Sequence, residues 1–219
     1  MDGLKGACCL VTGGAGFVGS TIADQLIHAG AAEVRIMDNF VRGSWNNISW
    51  AVEQPGVNVI VGDICSPDLV DHAMVGVDYV FHQAALRITR CAEKPREAIE
   101  VLIDGTFNVL EAALRYNVRK VIAASSASVY GEPSYLPIDE EHPFNNTTMY
   151  GGCKIALEQM LRALHNTSGL SYVALRPFNI YGPRMDMTGV YTEVLIRWLD
   201  AIENDCPPLI FGDGSQSMD

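Results

Sequence analysis

The sequence predicts an α/β fold, a doubly wound parallel sheet with helices on both faces. Six apolar runs alternate with stretches whose apolar residues recur at helical spacing, which is typical of strand–helix units in a parallel sheet. A glycine-rich segment separates the first run from the first helical stretch, where such sheets place a tight turn. We expect strands at 7–11, 33–37, 57–61, 78–82, 119–124 and 171–175. The dense apolar runs at 57–61 and 78–82 predict strands buried on both faces.

Composition and charge limit the class of protein. With 219 residues, 48% hydrophobic and 19% charged, the chain has material for one large core and at most a small addition. The formal net charge of -11 argues against nucleic acid or an acidic membrane as partner, because clustered Lys and Arg bind phosphates. The sequence has neither a secretory leader pattern nor an apolar run of bilayer length, so we expect a cytoplasmic protein.

The cysteines are predicted to be structural. They are Cys8, Cys9, Cys65, Cys91, Cys153 and Cys206, scattered without a C-x-x-C spacing. Several lie in apolar, strand-like surroundings, where a free thiol behaves as a small hydrophobic side chain. We therefore expect no metal site.

The glycine-rich segment Thr12–Gly19 follows the first apolar run and opens a helical stretch. Its glycines would give a tight turn, room for a pyrophosphate beside the backbone, and close packing of helix on strand. The free N–H groups at the helix start would face anionic oxygens. Candidate cofactor contacts are Gly13, Gly16, Phe17, Val18 and Gly19. A glycine-rich turn without a ligand is the alternative, and the next signal argues against it.

Asp38 ends the second apolar run, at the distance where a dinucleotide fold places the acid that binds the adenosine ribose. Together with the glycine-rich turn, this acid favours NAD as the cofactor. Asp38 would repel the 2′-phosphate of NADP, and Asn39 beside it brings no cation, although Arg42 lies close in sequence. We therefore expect NAD to be preferred over NADP.

Polar and small residues follow the third and fourth strands, at the edge where open α/β sheets bind ligands. Asp63 could accept a hydrogen bond from the adenine amino group, or it could be a turn or N-cap residue before the next helix, and both interpretations stay open. His82 is expected to be a satisfied polar residue at a strand end rather than a catalytic one. The candidate cofactor contacts in these segments are Asp63, Ile64, Gln83, Ala84 and Ala85.

Tyr150 and Lys154 lie four residues apart in the stretch 147–165, which is predicted to be a helix. Residues at this spacing share one helix face, so the Lys154 ammonium is expected to lie beside the Tyr150 phenol and to lower its pKa from about 10. Such a tyrosine can exchange protons near neutral pH. Hydroxyls at 125–128 follow the fifth strand and would face the same cofactor.

Together these motifs resemble the extended short-chain dehydrogenase/reductase family, in particular nucleotide-sugar epimerases and dehydratases of the UDP-glucose 4-epimerase type. The similarity covers nearly the whole chain. The matching segments are Thr12–Gly19 as T-G-x-x-G-x-x-G, Asp38 with Asn39, Ser126 with Tyr150 and Lys154, and Arg176–Pro183. The resemblance implies an NAD-binding Rossmann domain at 1–176 and the start of a smaller substrate-binding domain at 177–219.

The resemblance also implies a mechanism acting on a nucleotide sugar, most simply a UDP-sugar. Tyr150 would remove the proton of a sugar hydroxyl while hydride passes from the same carbon to NAD, and Ser126 would hydrogen-bond the oxygen. Lys154 would bind the nicotinamide ribose, and Pro177 would lie near the nicotinamide. The implied substrate contacts are Ser126, Ser128, Tyr150 and Asn179, the last on the phosphate side.

Two segments depart from the family's pattern. The family often has N-V-x-G-T where this chain has Leu102–Thr106, so an asparagine near the active site is absent. Met218 stands where an arginine is common, in a segment that in the family continues into the rest of the substrate domain. The chain is therefore expected to be a fragment or a shortened relative.

Alternatives within the family differ just after Ser126. A 4,6-dehydratase would be expected to carry Asp-Glu there, and a glucuronate decarboxylase a Glu at the second position, whereas this chain has Ala127 and Ser128. The epimerase interpretation therefore leads, followed by a 4-keto-sugar reductase. A regulatory protein could bind NAD without catalysis, but the intact Ser126, Tyr150 and Lys154 argue against it. The sequence contains no G-x-S-x-G, which disfavours a serine hydrolase.

The helical stretches 95–116 and 147–165 carry apolar stripes wider than one sheet contact needs. In similar epimerases the corresponding helices pair as a four-helix bundle. The resemblance thus implies a homodimer.

Overall fold

The computed structural model describes residues 3–185, 194–210 and 212–215. Six strands form its centre, each within one residue of its predicted bounds: β1 (Cys8–Thr12), β2 (Glu33–Asp38), β3 (Val57–Val61), β4 (Tyr79–His82), β5 (Lys120–Ala124) and β6 (Tyr172–Leu175). They make one parallel sheet in the order β3-β2-β1-β4-β5-β6.

Helices connect the strands and follow the last one. The α-helices are α1 (Phe17–His28), α2 (Pro67–Met74), α3 (Ile88–Glu93), α4 (Pro95–Ile99), α5 (Thr106–Arg115), α6 (Met149–Ser168) and α7 (Val194–Glu203). Short 3-10 turns span Trp45–Ile48, Ala51–Glu53 and Ala127–Val129.

Successive residues of β1 pack into two different cores, one on each face of the sheet. Leu10 is buried in a cluster with Leu157 of α6, whereas Val11 is buried in a second cluster with Ile36 of β2 and Ala23 of α1. Alternate strand side chains point to opposite faces, so a sheet covered on both sides needs strands that are apolar throughout. The two cores confirm the predicted doubly wound fold.

β3 lies at one end of the strand order, so the expectation that it is buried on both faces is wrong. Val61 is 62% exposed and Asn58 is exposed as well. An apolar run predicts that a strand forms, but the burial of that strand also depends on whether it has a neighbouring strand on each side. β4 lies inside the sheet, and there Val80 is fully buried.

The strand order reverses between β1 and β4, which are paired side by side. In open α/β sheets the ligand crevice lies outside the carboxyl ends of the strands at such a reversal. Thr12, Asp38 and His82 are the last residues of β1, β2 and β4, and Ser125 follows β5. The parallel sheet therefore brings these residues to one edge.

The predicted long helix 95–116 is continuous but not uniform. A π-helical segment, Glu100–Gly105, joins α4 to α5. A Cβ at Gly105 would lie 2.9 Å from Ile64 Cγ1, so glycine permits close packing of this segment on the loop after β3. Such π segments within α-helices are frequent at functional sites.

Local signals set the ends of α6. The hydroxyl of Thr148 accepts a hydrogen bond from the Gly151 N–H at 3.1 Å and caps the first turn. Gly169 ends the helix in the left-handed conformation, with a φ of 73°. The helix therefore begins within two residues of the predicted start.

The chain divides into two compact units, Met1–Phe178 and Asn179–Asp219. The boundary expected from the sequence, after residue 176, lies two residues before the division between these units. In the second unit, the indole N–H of Trp198 in α7 donates to the Leu209 carbonyl at 3.1 Å. Across the described ranges, helices combining the length and apolarity required to traverse a membrane are not found.

Candidate functional site

The glycine-rich turn is built for close approach of backbone atoms. Gly13 has a φ of +66°, and a Cβ there would lie 2.7 Å from the Ala84 amide nitrogen. A Cβ at Gly19 would collide with the Gly13 carbonyl oxygen. Side chains at these positions would therefore push the turn away from β4 or α1 away from the turn.

The first turn of α1 keeps its backbone donors available. Gly16 is the N-cap residue, and within the described part of the chain no side chain caps this helix. Phe17 and Val18 open the helix, where N–H groups lack intrahelical partners. An anionic oxygen placed there would satisfy them and meet the positive end of the helix dipole.

Asp38 braces this turn with its carboxylate. The side chain is buried, and its two oxygens accept hydrogen bonds from the Ala15 N–H at 2.9 Å and the Phe40 N–H at 2.8 Å. Each carboxylate oxygen has more than one lone pair, so both can still accept bonds from ribose hydroxyls. The expected ribose acid therefore also shapes the glycine-rich turn.

Two further residues hold the same turn, and the sequence analysis missed them. The Ala15 carbonyl accepts hydrogen bonds from the Ser44 N–H at 3.0 Å and the Asn47 amide at 2.9 Å. Ser44 is the N-cap of the 3-10 turn Trp45–Ile48 and Asn47 lies within that turn, and no spacing rule marks either residue in the sequence. The two bonds join segments far apart in the chain, so they form only when the segment after β2 folds onto the glycine-rich turn.

Asp63 acts as a turn residue in the structure. It accepts hydrogen bonds from the Cys65 N–H at 2.9 Å and from the Asn39 amide at 2.7 Å, and Ser66 rather than Asp63 is the N-cap of α2. Burial raises the pKa of its carboxyl group, but the bonds from Cys65 and Asn39 outweigh this and the net pKa is lowered. Contact with an adenine stays a prediction for Asp63 and for the neighbouring Ile64, which is buried.

The segment after β4 is joined to the end of β1. The Gln83 N–H donates to the Thr12 carbonyl at 3.0 Å, and the Ala84 N–H lies 3.4 Å from the Thr12 hydroxyl. Ala85 follows at an exposed position. These residues line the strand reversal, as expected from their place in the sequence.

His82 is buried with a hydroxyl partner at each ring nitrogen. Nδ1 lies 2.7 Å from Thr12 Oγ1, and Nε2 lies 3.1 Å from Thr106 Oγ1. Burial, with a smaller effect from the charge of Lys154, lowers the pKa of His82 to about 3, so the ring is neutral at pH 7. This agrees with the expectation of a satisfied residue at a strand end.

Protonation of His82 should destabilise the fold in acid. Its folded pKa of about 3 lies below the ordinary value of 6.5, so the unfolded chain binds more protons between these values and stability falls as pH falls through them. The contribution is up to about 1.4 kcal/mol per pH unit. His82→Gln should remove it from urea unfolding curves measured across this pH range, with the exposed His72→Gln as control. An unchanged acid slope in His82→Gln would contradict this account.

Ser126, Tyr150 and Lys154 meet where α6 packs on the end of β5. Lys154 is 5% exposed, and its ammonium donates to the Ala124 carbonyl at 2.6 Å. The Ser126 hydroxyl accepts from the Ser128 N–H at 3.1 Å and donates to the Ser128 hydroxyl at 3.1 Å. The three residues expected to be catalytic are thus gathered at one strand end.

The pKa of Tyr150 is raised, so the expectation that Lys154 lowers it is wrong for this structure. Burial is the main cause, a hydrogen bond with Ser126 opposes it, and Cys91 adds to it. The Lys154 Nζ lies 5.6 Å from the centre of the Tyr150 ring and is directed to the Ala124 carbonyl. Burial also lowers the pKa of Lys154 to about 8. Both groups are therefore mainly protonated at pH 7.

Apolar contacts explain the burial of the phenol. Tyr150 packs against a buried cluster formed by Cys91, Ala98, Leu102 and Cys153. Leu102 occupies the position where the sequence analysis noted a missing asparagine, and it is 2% exposed.

All six cysteines of the chain are free thiols. In the described residues, no group of three or more His, Cys, Asp or Glu could hold a metal ion.

The remaining candidates are distributed between the two units. Pro177 lies in the first unit, where its carbonyl accepts from the Ala127 N–H at 3.0 Å. Asn179 belongs to the second unit, and its contact with substrate stays a prediction. Met218 lies outside the described residues.

Fold and site together define a class of protein: dinucleotide-binding α/β proteins with a serine, a tyrosine and a lysine at the end of the fifth strand. Residues 9–219 match the profile of the NAD dependent epimerase/dehydratase family. The chain belongs to this NAD-dependent epimerase/dehydratase family.

Individual relatives cover nearly all of this chain. It is 37% identical over 217 residues to the UDP-N-acetyl-alpha-D-glucosaminuronate decarboxylase of Bacillus cytotoxicus, with 95% of this chain and 65% of that protein covered. It is 35% identical over 213 residues to the UDP-glucose 4-epimerase of Mycolicibacterium smegmatis, with 96% and 67% covered. The chain thus spans about two thirds of the length of these relatives.

A solved structure shows the same fold. The UDP-N-acetylglucosamine 4-epimerase from Methanobrevibacter ruminantium M1, in complex with UDP-N-acetylmuramic acid, superposes with a TM-score of 0.91 at 36% identity. The match covers 97% of this chain and 67% of that chain.

Proposed function

We propose that this protein is an NAD-dependent nucleotide-sugar 4-epimerase that works through a transient 4-keto sugar, with Tyr150 as the acid/base group. The observation that carries the proposal is the meeting of Ser126, Tyr150 and Lys154 at the end of β5, beside a glycine-rich dinucleotide turn. Relatives named as UDP-sugar 4-epimerases support it. The substrate is a nucleotide sugar, and the cytoplasmic location expected from the sequence is part of the proposal.

The described residues fit NAD. The uncapped start of α1 would bind the pyrophosphate, Asp38 the adenosine ribose, and Lys154 the nicotinamide ribose. When bound, oxidised NAD supplies a hydride acceptor and a positive charge that favours a nearby phenolate. Tyr150 would then take the proton of the sugar hydroxyl, and Ser126 would hold the sugar oxygen.

Other reactions of the same fold are less well supported. The relatives include a decarboxylase, so identity alone does not choose between reactions. Ala127 and Ser128 bring no carboxylate next to Ser126, whereas the resemblance leads us to expect one in a dehydratase or a decarboxylase. A 4-keto-sugar reductase and a regulatory NAD-binding protein remain the alternatives.

A substrate panel tests the proposal directly. Purified protein is incubated with NAD and a set of UDP- and dTDP-sugars, and the products are separated by chromatography. We expect a 4-epimer from at least one of them. A dehydrated or decarboxylated product, or NAD binding with no product from any sugar, would contradict the proposal.

Tyr150→Phe should abolish most of the turnover. The substitution keeps the ring and its packing but removes the group that takes the proton, and a positioned acid–base group is commonly worth 10²–10⁴ in rate. We expect kcat to fall by at least about a hundredfold while NAD affinity barely moves. Lys154→Met is the comparison variant and should weaken both, because it also removes a ribose contact. If Tyr150→Phe keeps more than about a tenth of the rate, Tyr150 is not the base.

NAD should bind more tightly than NADP. The Asp38 carboxylate is held in place by the Ala15 and Phe40 N–H groups, so it cannot easily turn away from a 2′-phosphate. Fluorescence titration with both reduced cofactors measures the preference. Arg42→Ala, which removes the arginine in the loop that follows Asp38, should leave it unchanged. Equal or tighter binding of NADP to the unaltered protein would contradict this prediction.

We also expect a homodimer through the helical stretches 95–116 and 147–165. Large apolar side chains are exposed on these helices, including Phe107 at 43% and Met149 at 42%. Phe107→Glu should shift the mass measured by light scattering from dimer to monomer, because it places a charge in the paired surface. Val61→Glu, at the exposed sheet edge, is the control. A monomeric unaltered protein at micromolar concentration would rule the dimer out.

A further inference from the structure

Glu158 continues the series of Tyr150 and Lys154 along α6 at a spacing of four residues. Its side chain is 9% exposed. Oε1 accepts hydrogen bonds from the Ser125 hydroxyl at 2.5 Å and from Arg176 Nε at 2.9 Å, and Oε2 accepts from Arg176 Nη2 at 2.7 Å. One buried carboxylate thus joins the end of β5 to the residue that follows β6.

Arg176 extends this connection to the loop after β5. Its Nη1 donates to the Tyr130 hydroxyl at 3.2 Å and to the Glu140 carbonyl at 2.9 Å. The guanidinium carbon also lies 5.1 Å from the ring centres of both Tyr130 and Phe144. A planar cation with partners in its plane and on its faces has one favoured orientation.

These contacts converge on the segment that carries Ser126. Lys154 binds the Ala124 carbonyl and Glu158 binds the Ser125 side chain, so α6 is hydrogen-bonded to two successive residues at the end of β5. From the other side, the Pro177 carbonyl accepts the N–H of Ala127. Ser126 lies between these fixed points.

We propose that Glu158 and Arg176 are positioning residues whose ion pair fixes Ser125 and thereby holds the Ser126 hydroxyl against Tyr150. The inference rests on the proposed function, because it assigns the pair a purpose in the 4-epimerase reaction. Neither residue is expected to touch cofactor or substrate. Glu158 acts through the Ser125 side chain. Arg176 acts through Glu158 and through the next residue, Pro177, whose carbonyl accepts from the Ala127 N–H.

A second ion pair with two hydrogen bonds provides the control, although its carboxylate is more exposed, 30% for Glu33 against 10% for Glu158. Arg35 binds Glu33 through Nε at 2.8 Å and through Nη2 at 3.1 Å, and it also donates to backbone carbonyls. Glu33 accepts a further bond from the Asn58 side chain. This pair lies at the amino end of β2, away from the edge that carries the site. Breaking the Glu33–Arg35 pair should therefore lower stability without displacing the residues of the candidate site.

The test compares Glu158→Gln with Glu33→Gln by three measurements. They are the melting temperature, the NMR resonance of Tyr150 in protein with isotope-labelled tyrosine, assigned by its loss in Tyr150→Phe, and the split between kcat and KM. Both variants should melt at lower temperature, because each leaves an arginine without its carboxylate. Only Glu158→Gln should move the Tyr150 resonance and lower kcat, by about tenfold or more, with KM nearly unchanged.

Ser125→Ala keeps the ion pair and removes only its link to β5, so it decides the matter if Glu158→Gln fails to fold. We expect a melting temperature near that of the unaltered protein, with the Tyr150 resonance moved and kcat lowered. Ser125→Thr, which restores the hydroxyl, should recover both. The proposal is wrong if Glu158→Gln and Ser125→Ala, or whichever of them folds, leave the Tyr150 resonance and kcat unchanged, as Glu33→Gln is expected to. The ion pair would then have a structural role only. If the unaltered protein converts no nucleotide sugar, the proposed function fails, and the resonance still decides the positioning role.

Discussion

Burial of the Lys154 ammonium costs solvation, and here a 2.6 Å hydrogen bond to the Ala124 carbonyl offsets part of that cost. The carbonyl lies at the last residue of β5, so this bond fixes α6 on the strand end at one position along the helix axis. Tyr150, one turn earlier, is thereby placed beside Ser126, and Glu158, one turn later, is placed beside Ser125. The arrangement of Ser125, Ser126, Tyr150 and Glu158 at the end of β5 follows from where one cation is buried.

Much of this could be predicted from the sequence, because the signals are local. The strands were predictable from apolar runs, since a parallel sheet covered on both faces demands continuous apolar strands. The turn at Gly13 was predictable because the glycines of Thr12–Gly19 lie between an apolar run and a stretch with helical periodicity. The place of Tyr150 and Lys154 on one helix face followed from helical periodicity alone.

The parts that could not be predicted depend on residues far apart in the chain. The edge position of β3 depends on strand order, which no run of residues encodes. The raised pKa of Tyr150 results from burial against Cys91 and Leu102, two residues that reach it only through folding. The Glu158–Arg176 pair joins residues 18 apart, and spacing alone gives no reason for a glutamate on α6 to find that partner.

The buried, neutral His82 connects the glycine-rich turn with the start of α5. Its ring bridges Thr12, which begins the glycine-rich turn, and Thr106, which follows the π-helical segment. A protonated ring would place a second positive charge in the buried region where Lys154 is already charged, and the two charges would disfavour each other. Because two hydroxyls satisfy both ring nitrogens, His82 can stay neutral without leaving a buried polar atom unpaired. The bridge therefore holds the turn in place without adding a positive charge near Lys154. The pKa of Lys154, about 8, then keeps its side chain mainly protonated at pH 7.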